Sequence, residues 1–468
     1  MPVTSHWLGR INRKARKTIA HARQDHAATG ISYVDWVVRK SKWRIQNRGW
    51  NKPVKTPYSD LGEFLDEIQR KLALPNIDEQ LLSLATIYYQ GDSAELNSLD
   101  PFGDAYRTKV LEFYKQVSKN SHYDPMEMEK TNAADTFQQS FCPLPYRFGS
   151  SKLISEFLSA YAWVFRNLDV RSGADVLEYG AGEGSLCIPL ARMGCNVHAI
   201  DIEQRFLDVI RKQCNELGIS VATKLGRFGD SFDGKLFDRV IFFEAFHHCF
   251  DHYQTLMRIR DYLKPDGFIC FSGEPVINEQ SPDSILVPYP WGLRLDGEAM
   301  RSTSQFGWME LGYSEPYFLE LLARCGYSVE RSPCPSCSRG DVYIARKITS
   351  RYPIERDTLI STYKGQSGWH ASEHTHRWTD GDAWLPLPAT GFSSVAVTLQ
   401  NLSPASSHVE VSSPVSSERL SLAPAADARV VVQVPPSGGN LRIRSGTFRP
   451  KSADTRILGI AVMAVEFA

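Results

Sequence analysis

The apolar positions along the chain change their period as it proceeds. From Leu61 to Leu74 the residues Leu61, Phe64, Leu65, Ile68 and Leu72 recur every three to four places, the spacing that gathers them on one helical face. Leu81 to Tyr89 and Tyr106 to Val117 read as two further helices. Pro143-Leu-Pro-Tyr-Arg-Phe-Gly149 is a breaker-rich linker, and a helix from about Lys152 to Leu168 follows it. Beyond it, short apolar runs alternate with helical patterns. The runs are Asp175 to Tyr179, Cys195 to Ile202, a strand ending near Gly226 to Asp230, Phe237 to Phe243, and Phe268 to Phe271. Helices are predicted at Leu186 to Met193 and Gln254 to Leu263, with Lys264-Pro-Asp-Gly267 as a turn. Phe237 to Phe243 is nearly all apolar after its start, as a strand covered on both faces must be. The alternation predicts an α/β fold with a doubly wound parallel sheet. Tyr327 to Glu330 and Val342 to Ala345 predict a closing antiparallel pair.

After about residue 350 the helical spacing disappears and Ser, Pro and Val dominate. Alternating runs at Ser394–Leu399, His408–Ser412, Arg429–Val434, Asn440–Arg444 and Leu458–Val462, with a turn at Pro435–Gly439, predict an all-β sandwich. The chain therefore divides into a basic, mainly helical region over 1–145, an α/β domain over 146–349 and a β-sandwich over 350–468.

Composition narrows the partners. With 53 basic and 53 acidic side chains the formal net charge is zero, so no global field draws the protein to nucleic acid or membrane. The first fifty residues are the exception: eleven Lys or Arg stand against Asp25 and Asp35, interleaved with Trp7, Trp36, Trp43 and Trp50. Such a stretch can touch an anionic lipid surface or a nucleic-acid backbone, or be a solvated basic segment. Nine scattered cysteines and the absence of an apolar signal core suit a reducing cytoplasm, with any membrane contact peripheral and on the inner face. Cys334-Pro-Ser-Cys337 is a lone CxxC without a second pair, and no metal is expected from cysteine or histidine spacing.

The candidate chemistry centres on Glu178-Tyr-Gly180-Ala-Gly182-Glu-Gly184-Ser185, where an apolar run ends in an acid and three glycines alternate before a helix. Glycine serves where the backbone must take positive φ or approach a ligand closely. The helix start beyond offers free N–H groups and a positive dipole end. A dinucleotide fingerprint has a third glycine where Ser185 stands, and Glu178 would repel a pyrophosphate but can hold an ammonium. Asp201 follows the second strand 21 residues beyond Gly180, where an acid can accept both hydroxyls of a ribose.

This arrangement resembles the class I S-adenosylmethionine-dependent methyltransferases over about residues 146 to 346, through Glu178–Gly184, Asp201, Gly229-Asp230, Phe237–Glu244 and the Leu263–Gly267 turn. The resemblance implies a Rossmann-like sheet and S-adenosyl-L-methionine as cofactor. It implies backbone contacts to the methionine part at Gly180, Ala181 and Gly182, with Glu178 near the amino group, Asp201 at the ribose and Asp230 near the adenine. Ile202, Phe228 and Gly229 would wall the adenine, and Glu244 would border the cofactor. Phe243-Glu-Ala-Phe-His-His-Cys249 follows the fourth strand and is similar to sugar and small-molecule O-methyltransferases, in which a histidine there can act as base. His247 and His248 are the candidate bases, and Glu244 and Glu274 can bind a hydroxyl or orient a histidine. Trp291, Arg294 and Trp308 in the following insertion offer stacking faces and a charged donor for a sugar. The Asn/Asp-Pro-Pro-aromatic run of amino-directed nucleic-acid methyltransferases is missing, so no nucleic-acid acceptor is expected. The C-terminal segment resembles the all-β modules of bacterial cell-surface polysaccharide enzymes. The acceptor implied is a hydroxyl of a surface glycan or a lipid-linked precursor. The rival reading is a glycan-binding or assembly protein on a methyltransferase-like core without turnover.

Overall fold

The computed structural model describes residues 55–75, 77–130, 151–389, 391–450 and 454–468. The basic segment, its tryptophans and the 143–149 linker lie outside the described residues. The chain from Pro57 to Ala468 forms one compact unit.

The sequence pattern produces a seven-stranded sheet. Its strands are β1 (Asp175–Tyr179), β2 (Asn196–Asp201), β3 (Ala222–Leu225), β4 (Phe237–Phe243), β5 (Leu263–Ser272), β6 (Tyr327–Ser332) and β7 (Val342–Lys347). Their order is β6-β7-β5-β4-β1-β2-β3. The first five run parallel, while β7 is antiparallel to β5 and β6 to β7. The order reverses at β1, which lies between β2 and β4. The carboxyl ends at such a switch point open into the crevice where ligands of open α/β sheets sit. Aromatic rings brace that end of the sheet: Tyr179 stacks on Phe242 at 5.0 Å and Phe242 on Phe271 at 5.5 Å.

Two local expectations are corrected. Leu81 to Tyr89 is not one helix. A helix over Ile77–Leu84 ends where the Thr86 hydroxyl donates to Ser83 O, and Ile87–Tyr89 is a strand. The β-branched and aromatic residues there favour extended backbone, and Tyr89 N donates to Leu295 O across the fold. Lys264–Gly267 is not a free turn but lies within β5, whose register with β4 shifts between Phe237 and Arg239. Lys264 Nζ clamps Asp175 and Asp238 at 2.8 Å each, tying three strand starts together.

An insertion after β5 crosses the end of the sheet. It holds a three-stranded sheet of Val276–Ile277, Leu311–Ser314 and Trp291–Leu293, and a helix over Gly297–Phe306. The N-terminal helix Asp104–Ser118 packs on it through buried tyrosines: Tyr106 Oη donates to Trp291 O and Tyr114 Oη to Gly307 O.

The C-terminal segment forms two facing sheets. One contains Trp369–Ser372, Arg377–Thr379, Ala461–Phe467, Ser394–Gln400 and Asp427–Gln433; the other Asp382–Leu387, Gly439–Ser445, Ser407–Ser412 and Ser417–Leu422. Inward residues of both, among them Val397, Val411, Val432, Ile443 and Val465, make its core. Pro435–Gly439 carries the chain from one sheet to the other. The last strand begins at Ala461, later than the pattern predicted, because Leu458 pairs with Phe448 instead.

Helix Glu315–Arg324 joins the sandwich to the α/β sheet. Glu320 is fully buried, bonded to Arg324 at 2.7 Å and accepting Tyr363 N at 2.5 Å. Ala389 N donates to Arg324 O, and Leu359 N to Val329 O on β6. A chain ending at residue 349 would lose these partners and leave Glu320 short of a donor. Losing even ~3 kcal/mol lowers the melting temperature of a domain this size by roughly 6–12 °C. The truncated protein should therefore melt well below the full chain or precipitate. Equal melting by calorimetry would show that the interface adds no stability.

Candidate active site

The cofactor side of the crevice is built where β1 and β2 end. Gly180, Gly182 and Gly184 all have positive φ, at +64°, +51° and +90°. A Cβ on Gly180 would lie 2.8 Å from Ala245 Cβ, whereas one on Gly182 would meet nothing within 4 Å. Gly182 thus faces open space at the crevice, and its N–H donates to Asp201 Oδ2 at 3.0 Å. Asp201 Oδ1 accepts Glu203 N at 2.8 Å. This aspartate therefore clamps the ends of β1 and β2 together while keeping lone pairs for a further donor. Burial raises its pKa to about 6, although the N–H groups of Glu203 and Gly182 oppose the rise.

Glu178 is 4 % exposed, and its Oε2 has no hydrogen-bond partner among the described residues. Burial is the main reason its carboxyl is pushed up to about 8; the Asp201 carboxylate adds to this, and the Cys187 N–H works against it. A buried carboxylate oxygen without a donor calls for a cation or an N–H from a ligand. Nearby, burial raises Glu183 to about 7. Phe228 stands edge-on to Tyr179 and Phe242 and close to Gly180, with partly buried Ile202 at the end of β2. Asp230 Oδ2 accepts Arg227 N and so shapes the turn around buried Gly229. A paired acid, an orphaned carboxylate oxygen and an open glycine turn fit the ribose, ammonium and methionine backbone of S-adenosylmethionine.

Across the crevice, β4 ends in Glu244, at φ +48°, a left-handed conformation rare for a side chain with Cβ. Its carboxylate pairs with Arg339, whose guanidinium also lies over Phe157 at 4.5 Å. Glu244, expected to border the cofactor and to bind a hydroxyl or orient a histidine, is thus held in an ion pair. Glu274, 1 % exposed in its side chain, accepts the N–H groups of Ala245, Phe246 and His247 at 2.9–3.0 Å. It also takes His247 Nδ1 at 2.8 Å. Burial alone would raise the Glu274 pKa; His247 and the backbone donors bring it below the ordinary value. The imidazole of His247 is therefore held with Nε2 directed away from Glu274, 3.7 Å from Glu310 Oε2.

His248 stacks beside His247 at 4.2 Å and sets Nδ1 3.0 Å from Glu129 Oε2. Burial would lower its pKa, but Glu129 and then Glu310 and Glu274 raise it to about 9. Glu129 thus favours the protonated imidazole and makes His248 a poor proton acceptor. Arg294 reaches Glu310 at 3.5 Å and Asp296 at 3.2 Å. Partly buried Trp308 turns its ring edge toward His248 at 6.2 Å. Trp291 is not at the crevice. It is fully buried, donates Nε1–H to Pro101 O at 2.9 Å and packs on Tyr106 and His252, because its indole plugs the joint between the insertion and the N-terminal helices. Glu310, Glu129 and Arg339 are site residues that the motifs did not single out.

Residues 177–271 match the family model of the methyltransferase domain. A ubiquinone biosynthesis O-methyltransferase of Actinobacillus pleuropneumoniae is 31 % identical over 106 residues, 21 % of this chain and 45 % of that protein. That of Shewanella sp. is 25 % identical over 158 residues, 33 % of this chain and 65 % of that protein. The chain spans less than half the length of the first of these relatives. Among solved structures, a 1,6-didemethyltoxoflavin-N1-methyltransferase of Burkholderia thailandensis is 20 % identical with a TM-score of 0.31, over 44 % of this chain and 94 % of that one. Magnesium protoporphyrin IX methyltransferase of Synechocystis is 14 % identical with a TM-score of 0.33, over 49 % and 99 %. Among the described residues no helix is long and apolar enough to cross a membrane. Over 177–271 the chain carries a methyltransferase domain, and S-adenosylmethionine is its cofactor.

Proposed function

We propose that this protein transfers the methyl group of S-adenosylmethionine to a hydroxyl of a sugar in a bacterial surface glycan or its lipid-linked precursor. The observation that carries the reading is the Glu274–His247 pair beside the cofactor crevice, with Nε2 directed at the acceptor side. A sulfonium methyl needs little covalent help; alignment and exclusion of water do most of the work. The acceptor oxygen attacks the methyl carbon as the C–S bond breaks, and sulfur keeps the bonding pair. A hydroxyl must shed its proton in that step, and the histidine–carboxylate cluster is where it sheds it. Glu178 holds the amino group and Asp201 the ribose, which fixes the methyl carbon in line. Arg294 and Trp308 border the acceptor side and suit a sugar.

The glycan assignment is supported by the appended sandwich. The outer face of its second sheet presents Trp384 under Arg442 at 4.4 Å, with Arg444 and Glu410 alongside. A planar aromatic with charged neighbours suits a sugar ring. The basic N-terminus would keep the protein at an anionic inner membrane face, near a lipid-linked acceptor. Asp201→Ala should weaken S-adenosylmethionine binding by roughly 1–3 kcal/mol, since a charged acceptor for the ribose is lost. Calorimetry checks this, and unchanged affinity would place the ribose elsewhere. If neither S-adenosylmethionine nor its demethylated product binds the intact protein, the enzyme reading is wrong. Mass spectrometry of surface glycans from a strain lacking the protein tests the acceptor; an intact methylation pattern would refute it.

A further inference from the structure

Among the described residues, the acceptor side gathers more carboxylates than Lys or Arg partners. Glu274, Glu310 and Glu129 have side chains 1 %, 9 % and 6 % exposed. Among the described residues the one arginine paired with this group, Arg294, also serves Asp296. Buried carboxylates require a compensating cation. One ring nitrogen each of His247 and His248 and one carboxylate oxygen of Glu310 lie within 4.8 Å of one another. His247 Nδ1 is engaged by Glu274, which leaves Nε2, 3.7 Å from Glu310 Oε2, as its open donor.

We propose that His247, His248 and Glu310 bind one divalent transition-metal ion, which takes the acceptor hydroxyl as a further ligand. The inference rests on the methyltransferase reading and specifies how its acceptor side works. Ligand distances of about 2.0–2.2 Å place the atoms of a tetrahedral site roughly 3.3–3.6 Å apart. The His247–Glu310 separation of 3.7 Å is already close to that. Two imidazoles and one carboxylate are a donor set for zinc-class ions rather than magnesium or calcium, and three protein ligands leave a position open. Both imidazoles have a carboxylate beside Nδ1, Glu274 on His247 and Glu129 on His248. Carboxylates behind ligating histidines fix the tautomer and strengthen the donor. Arg294 takes part in the same balance by holding Glu310 in place. In the reaction the metal-bound hydroxyl gives its proton to solvent water at the partly exposed edge beside His248. The oxygen so formed attacks the methyl carbon, the C–S bond breaks, and its electron pair stays on sulfur.

The test uses the full-length protein freed of metal by a chelator, with Zn²⁺ or Co²⁺ added alone. One equivalent per chain should bind, and Co²⁺ should give the visible absorption of a low-coordinate nitrogen and oxygen site. Glu310→Gln and His248→Ala should each weaken uptake about tenfold or more, and Mg²⁺ should not compete. S-adenosylmethionine calorimetry on the same samples shows that the variants are folded. Absence of stoichiometric uptake by the unaltered protein would overturn the proposal, as would equal uptake by the double variant. Cofactor binding without metal uptake ends this inference alone; metal uptake without cofactor binding ends the methyltransferase reading and leaves the ion site standing.

Discussion

His247→Ala should lower kcat with the glycan acceptor by about 10²–10⁴, the range for a positioned group that removes or stabilises charge on a reacting proton. The expectation rests on how tightly the imidazole is held. Glu274 accepts three backbone N–H groups as well as Nδ1, so the ring cannot turn without breaking a buried network. Affinity for S-adenosylmethionine should change less than twofold, because the ring faces the acceptor side and not Glu178 or Asp201. His252→Ala is the contrast. That ring is buried, bonded to Tyr317 Oη at 2.7 Å and pushed by burial to about 3, so it is a neutral part of the core. Its loss should lower the melting temperature and leave kcat per folded molecule nearly intact. Equal kcat losses in both variants would mean that His247 is no more than a packing residue. Full activity in a His247→Ala, His248→Ala double variant would remove both from the reaction.

Much of this was legible from local pattern. The β1, β2, β4 and β5 runs show in the sequence because strands covered on both faces must be apolar, and the glycine turn shows because only glycine takes its three positive φ values cheaply. Glu178 and Asp201 show because they follow strand ends at a set distance. The acceptor side was half legible. His247 and Glu274 end two neighbouring strands and could be named, whereas Glu129 and Glu310 reach the same point from an N-terminal loop and from the insertion. No local spacing records a meeting between segments 119 and 180 residues apart in the chain, as with His248–Glu129 and Met309–Glu129 partners. Trp291 was misread for a related reason. An exposed tryptophan and a fully buried one look alike in sequence, and only the helix Asp104–Ser118 decides between them. The tie between sandwich and sheet through Glu320 was equally hidden, since a glutamate on an amphipathic helix reads as a surface charge.

Glu178→Gln should both stabilise the cofactor-free protein in alkali and impair its binding. The Glu178 carboxyl sits at about 8 in the fold against an ordinary value near 4.5, with burial as the main cause. Between those values the folded chain holds a proton that the unfolded chain releases. Stability from this group is therefore complete below pH 4.5 and declines as pH rises, until it is lost above about pH 8. Asp201, at about 6, and Glu183, at about 7, add to the decline over narrower windows. Glutamine carries no charge at any pH and keeps the shape, so the variant should melt above the parent at pH 8.5 and near it at pH 5. Binding should run the other way. The ammonium of S-adenosylmethionine is paired by the ionised carboxylate, so the parent should release close to one proton on binding at pH 6.5. Its affinity should then rise by up to about tenfold per pH unit toward pH 8. Removing the charged partner should weaken binding at pH 8 by about 1.5–3 kcal/mol and flatten the pH dependence. Calorimetry in two buffers of different ionisation enthalpy measures the proton count. A parent that binds with no proton release, or a variant that keeps the slope, would show that Glu178 does not hold the amino group.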